Sequence, residues 1–323
     1  MTICQELFSF LTDSINACIL SDIAEERIKR PGSNSMYYIL SLLAGILISV
    51  MVAVNGGLTV QYGVYSATVI IHIVGLILIT VIVLLKREKV FSKRCAWFLY
   101  LGGAIGVSTT VFNNFAFGRI SVSAILALGL FGQSVTGLVV DQYGLFSMPK
   151  YPFAKRKLIG LTLILAGILS MVDNFETAAV IVSFATGITI VVSRTLNAKL
   201  ADETSVRVST LYNYIVGLII CIPVFFFLGS NEIVPAEFAL SQDWYIYLGG
   251  VLGVCVVLLS NITVIRISAF YLTLLMFIGQ VFTGVLIDAV ISQEFSLRIL
   301  IGGVLVAIGL CVNLLLDRRK IEA

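Results

Sequence analysis

Two amide side chains stand in apolar sequence, each followed at the same distance by a carboxylate. Gln133 precedes Asp141 in GQSVTGLVVD, and Gln280 precedes Asp288 in GQVFTGVLID. A buried amide offers donors and an acceptor to a polar solute, and a carboxylate further along can gate a path or carry a proton. Asn114, Asn261, Asn55 and Asn197 add four more amides in apolar surroundings. His72 is the chain's only histidine, and Arg194 is a lone cation within an apolar run. Histidine titrates near neutrality, which suits proton coupling, and a buried guanidinium can hold an anion.

These residues belong to a segment that the chain contains twice. Residues 97–141 open on WFLYLGGAIGV and residues 244–288 on WYIYLGGVLGV, at a constant offset of 147. Asn114 thereby aligns with Asn261, Arg119 with Arg266, Gln133 with Gln280 and Asp141 with Asp288. At an offset of 142, Asn55 and Leu58 match Asn197 and Leu200, IHIVGLIL (71–78) matches NYIVGLII (213–220), and Arg156, Gly160 and Gly167 match Arg298, Gly302 and Gly309. Two halves of one fold are written into the sequence.

Composition says which kind of fold. Hydrophobic residues make up 59% and charged residues 12% of the chain, and mean hydropathy is +1.05, outside the range of soluble domains. The chain reads as an all-α polytopic membrane protein. Apolar runs near 36–58, 65–85, 96–117, 121–141, 158–172, 176–198, 207–228, 244–264, 268–288 and 297–317 each suit a crossing of a hydrocarbon core about 30 Å thick. Ten spans are five per half. An odd number per half makes the second half enter from the opposite side, so the expectation is two inverted five-helix repeats.

Charge placement tests this independently. With a cytoplasmic N-terminus, 18 of the 21 Lys and Arg residues fall on the inside, leaving Arg119 and Arg298 outside and Arg194 within a span. The positive-inside rule therefore also gives ten helices with both termini cytoplasmic. The net charge of +3 has no nucleic-acid meaning, because the basic residues sit in short loops.

The expected organisation is an extension over 1–35, a first repeat over 36–174 and a second over 175–323. Ile3, Leu7, Phe10, Leu11 and Ile15 recur at helical spacing among acidic residues, so the extension reads as an amphipathic cytosolic or interfacial helix. Met36 as the true start is the alternative reading. GxxxG pairs at Gly102 with Gly106 and Gly249 with Gly253 predict close helix approach, and Pro223 predicts a kink in the seventh helix.

The WxxYLGGxxGV and GQxxTGxxxD segments, with N-x-x-L near the end of the first helix of each half, resemble the YdcZ-type branch of the drug/metabolite transporter superfamily in a fused ten-helix form. The resemblance covers residues 36–317. It implies a small-solute carrier of a bacterial cytoplasmic (inner) membrane, EamA-like in its build and working as a secondary transporter in the export direction. The chain departs from the branch's pattern one turn before Asn55 and Asn197, where Met51 and Ser193 stand in place of glutamine.

Gln133 lies twelve residues after Ser121, about 18 Å into its span, and Gln280 has the same depth from the other face. Two readings fit this pair: a solute site at the midplane, where inverted-repeat carriers bind, or interhelical hydrogen bonds. Asp141 and Asp288 fall at span ends, where they can gate the path or simply be solvated. Arg119 and Arg266 read as flanking arginines bound to headgroups or to helix carbonyls. His72 can couple a proton or pack in a hydrogen-bonded core. Arg194 can hold an anion or snorkel to the surface.

Absences narrow the class. The lack of a mid-span carboxylate favours a neutral or zwitterionic solute over a hydrophobic cation. The six cysteines are scattered without CxxC, so neither a metal nor a disulfide framework is expected. The sequence has no phosphate-binding GxxxxGK[ST] loop and no HExxH or GxSxG, so neither ATP-driven transport nor hydrolysis is expected and no cofactor is implied. The expected partners are a small solute, a proton as candidate coupling ion, and lipid, with monomer and homodimer both open. A non-transporting membrane scaffold or assembly protein and a passive channel are the other classes compatible with this fold.

Overall fold

The structure, a computed structural model, describes residues 34–90, 94–143, 145, 157–171, 176–232, 241–264, 269–292 and 297–321. The 1–35 extension therefore lies almost wholly outside the described residues, as do Arg266, Cys4 and Cys18. Ten α-helices are described: α1 Asn34–Tyr62, α2 Val64–Leu85, α3 Leu101–Ala116, α4 Val122–Tyr143, α5 Lys157–Met171, α6 Thr177–Glu203, α7 Val206–Val224, α8 Gly249–Val264, α9 Ala269–Ser292 and α10 Leu297–Ile321. Six are long and apolar enough to cross a membrane by length and composition, and three shorter apolar stretches lie in α5, α9 and α10. Outward faces are apolar as well. Val60 is 78% exposed, Leu85 76% and Phe227 85%, a surface suited to lipid and not to water.

Helix ends follow from local chemistry. The apolar run in α1 fades at Leu58, but the helix continues to Tyr62 and stops at Gly63, whose φ of 87° is left-handed. Glycine adopts that conformation without steric cost, so α2 starts one residue later. The carboxylate of Glu232 accepts from the backbone N–H of Val64 (2.9 Å), Tyr65 (2.8 Å) and Ser66 (3.1 Å), closing the exposed donors of α2. Ser205 caps α7 by accepting from the N–H of Val208 at 3.1 Å, and Glu88 bonds both Ser205 and Arg207 there. Pro223 lies next to the end of α7, and the chain goes on as a π-helical turn over Phe225–Gly229.

Packing repeats from half to half. α1 lies against α8 and α9, and α6 lies against α3 and α4. Equivalent helices meet at α2–α7, α4–α9 and α5–α10. Each of these pairs runs antiparallel: His72 lies by Gly217 and Tyr214 by Gly75, Ser123 lies by Asp288 and Gly284, and Gly160 lies by Gly309 while Gly167 lies by Gly302. The pair α1–α9 runs parallel, with Gly45 on Met276 and Ser49 on Gln280, and so does α6–α4, with Gly187 on Gly129 and Gly132.

These approaches are close enough to require glycine. A Cβ on Gly132 would stand 2.1 Å from the carbonyl of Phe184, and one on Gly45 would stand 2.2 Å from that of Met276. In a bilayer water supplies no force between helices, so such backbone contact is what holds them together.

Candidate functional site

The glycines of the third and eighth helices position the site. Gly102 faces the Asn197 amide oxygen and Gly249 faces that of Asn55, each at a distance no Cβ would allow. Gly103 lies against the carbonyl of Asn213, and Gly250 against that of Ile71. The YLGG segments and the N-x-x-L segments are therefore the two sides of one contact, made once by each half. Around it α1, α2, α3, α6, α7 and α8 enclose a cavity of about 170 Å3.

Nine residue pairs at the sequence's own repeat offsets line this cavity. Ile48 with Ile190, Met51 with Ser193, Asn55 with Asn197, Ile71 with Asn213 and His72 with Tyr214 stand at 142. Gly106 with Gly253, Thr109 with Val256, Thr110 with Val257 and Asn113 with Ser260 stand at 147. Asn261 and Arg194 complete the lining without their counterparts Asn114 and Val52. The cavity thus sits where the two halves are related to one another.

Its two walls differ in chemistry. The wall from α3, α6 and α7 is polar: Asn197 donates to the amide oxygen of Asn213 at 2.8 Å and lies 3.4 Å from Ser193 Oγ, and Ser193 donates to the carbonyl of Gly102 at 2.7 Å. Thr109 shares a hydrogen bond with Thr189 at 2.7 Å. The wall from α8, α1 and α2 places Val256, Val257, Met51 and Ile71 at the equivalent positions. Among them Asn55 Oδ1 and Asn261 Nδ2 are buried without a hydrogen-bond partner among the described residues. An unpaired buried polar atom costs about 1–3 kcal/mol, so both gain from a polar solute or water.

Arg194 is the one described charged residue in the lining, and it makes no hydrogen bond or ion pair with another described residue. His72 is buried, its Nδ1 lies 2.8 Å from the Thr68 carbonyl, and its ring centroid is 5.8 Å from that of Tyr214. Each ring rests on a glycine of the opposite helix, His72 on Gly217 and Tyr214 on Gly75. A neutral imidazole that donates from Nδ1 to a carbonyl presents Nε2 as its acceptor.

The remaining candidates lie elsewhere. Neither Gln133 nor Gln280 lines the cavity; both follow the glycines that seal α4 on α6 and α9 on α1, and the backbone carbonyl of Gln280 accepts from Ser49 Oγ at 2.6 Å. Asn114 donates to Thr68 Oγ1 at 3.3 Å, behind the site. Asp288 is buried at the start of α4, where its oxygens accept from the N–H of Val122 (2.7 Å) and Ser123 (2.9 Å), so it caps a helix and is not solvated by headgroups. Asp141 is in the last turn of α4, and its side chain lies outside the described residues. Arg119 pairs with Glu176 at 2.7 Å and lies over the Phe115 ring, where headgroups or helix carbonyls were the expected partners. Among the described residues there is no group of metal-ligating side chains, and Cys95, Cys221, Cys255 and Cys311 form no disulfide with one another.

Sequence reading missed Asn213, Tyr214, Thr109, Thr110, Asn113 and Ser260. The signal for the first two was the IHIVGLIL and NYIVGLII alignment, which placed a polar pair opposite Ile71 and His72.

A curated-protein comparison finds no match. A solved structure described only as "Crystal structure of protein" is similar over 88% of this chain and 97% of its own, with a TM-score of 0.60 and 14% identity, a likeness of fold. The family described as "Putative inner membrane exporter, YdcZ" matches twice, over residues 36–170 and again over 178–312. The chain, a multi-pass protein of the bacterial inner membrane, belongs to this YdcZ family of drug/metabolite-type transporters.

Proposed function

We propose that the protein is a secondary carrier that moves a small metabolite, in the export direction, by alternating access. Its two repeats, over 36–174 and 175–323, are inverted in the membrane, ten helices cross it, and both termini are cytoplasmic. The antiparallel meeting of the equivalent pairs α2–α7, α4–α9 and α5–α10 supports the inversion, and the loop charges support the orientation.

One observation carries the reading: nine equivalent residue pairs, half from each repeat, enclose a single cavity. Rocking one set of helices against the other would open such a cavity to one side and then to the other. Asn55, Asn197, Asn261, Arg194 and Tyr214 are assigned to the solute, and Gln133, Gln280 and Asn114 to helix contacts. His72 is assigned to packing against Tyr214 and Gly217. Saturable counterflow in proteoliposomes tests the carrier. Accelerated uptake against a preloaded solute supports it; linear, non-saturating flux points to a channel, and no flux of any solute to a scaffold.

A further inference from the structure

We infer that the solute is a singly charged organic anion, a monocarboxylate with an apolar body, held with its carboxylate on Arg194 and its body against Val256 and Val257. This inference rests on the carrier reading and deepens it. Arg194 is a guanidinium in a cavity lined by no described Asp or Glu, and no described side chain or carbonyl satisfies it. Arg194 is half-buried, and a charge partly withdrawn from water without a counter-ion is costly, so the cavity is built to receive a negative charge. The guanidinium fork fits the two oxygens of a carboxylate.

The count of charges sets the class. One cation balances one anion. A dicarboxylate or phosphate ester would bring a second charge without a partner, and a zwitterion would bring an ammonium to a lining with no described carboxylate. The orphaned Asn261 Nδ2 offers a further donor to a hydroxyl or keto oxygen on the solute.

The opposite wall sets the rest of the molecule. Where the polar wall has Thr109, Thr110, Ser193 and Asn213, this wall has Val256, Val257, Met51 and Ile71. These four side chains offer no polar group, so this part of the wall takes hydrocarbon, beside the polar Asn55, His72, Ser260 and Asn261 of the same helices. A cavity of about 170 Å3 holds on the order of ten waters, which limits the occupant to a small metabolite.

The test is binding to the purified full chain in detergent, read by thermal unfolding and titration calorimetry. The probes are propionate, isovalerate, isocaproate, benzoate and octanoate, each beside its amide and amine, with succinate and leucine. Monocarboxylates are expected to bind saturably, with affinity rising from propionate to isocaproate, and about tenfold or more tighter than their amides and amines. Arg194→Gln is expected to remove the preference for acid over amide, and Arg194→Lys to keep part of it. Val256→Thr and Val257→Thr are expected to weaken isocaproate more than propionate, and these two variants keep the inference testable if Arg194→Gln does not fold.

Equal binding of acid and amide, tightest binding of leucine or succinate, equal Arg194-dependent binding of chloride, or no binding by any monocarboxylate would each overturn it. Counterflow separates the two claims. Counterflow of an amine or a neutral solute alone overturns the anion and leaves the carrier; monocarboxylate binding without any flux supports the anion site and sinks the carrier.

Discussion

The two walls of the cavity occupy equivalent places in the two repeats and have diverged in what they offer a solute. On one, Asn197 is tied into Asn213 and lies near Ser193, and Arg194 stands beside them. On the other, Asn55 has Met51 and Ile71 where those polar partners would be, and its Oδ1 is orphaned. The backbone frame beneath is the same on both sides, with Gly103 on the Asn213 carbonyl and Gly250 on the Ile71 carbonyl. The difference teaches that symmetry here belongs to the glycines that set helix spacing, whereas the side chains that line the cavity are free to depart from it.

The largest effects should be equal on the two sides. In Gly103→Ala and Gly250→Ala the new Cβ would lie 2.3 Å and 2.4 Å from a backbone oxygen, and backbone does not yield as a side chain does. Each is expected to destabilise the protein by about 1–3 kcal/mol or more, seen as lower melting temperature and yield in detergent. A loss in one half only would break the claim that the frame is shared.

Asymmetry should follow at the asparagines. Asn197→Ala leaves the Asn213 amide oxygen without its donor, at a cost of about 1–3 kcal/mol, whereas Asn55→Ala removes an atom that has no partner and should cost less than about 1 kcal/mol. Equal losses in thermal unfolding would contradict the division into a satisfied and an orphaned corner. Ile71→Asn sharpens the same comparison by building the second wall like the first. Giving Asn55 a neighbour is expected to recover about 0.5–1.5 kcal/mol against the cost of the buried amide, with a net change near zero, while Asn213→Ile should destabilise.

The smallest effect is expected at His72. Its Nδ1 is engaged by the Thr68 carbonyl and its ring is packed against Tyr214 and Gly217, so His72→Gln should lower stability slightly and leave the pH dependence of transport unchanged. A shifted pH profile would return His72 to the role of proton carrier.

Much of the frame was legible in the sequence because glycines and polar residues recur at fixed offsets, and a repeat survives even where helix boundaries do not. Asn55 and Asn197 were found this way, as were Arg194 and His72, the places where the repeat breaks. Gln133 and Gln280 were read by their depth along their helices, and depth leaves rotation about the helix axis open. In a soluble helix a polar stripe reveals which face is buried; in a bilayer the lipid face is as apolar as the core, so α4 gave no sign that its GQ segment seals against α6. The small residues beside each glutamine were the signal, and they spoke of helix contact. Thr109 and Thr110 escaped notice for the same reason, since two hydroxyls in an apolar helix usually bond to their own backbone.

The central claim, that equivalent wall positions share one alternately accessible cavity, is tested most directly by labelling. Thr110→Cys and Val257→Cys, each in a background without other cysteines, are placed in oriented vesicles and treated from either face with a membrane-impermeant thiol reagent. The account predicts modification of both positions from both faces, and protection of both by isocaproate. Modification of both from one face only, whatever solute is present, would contradict it.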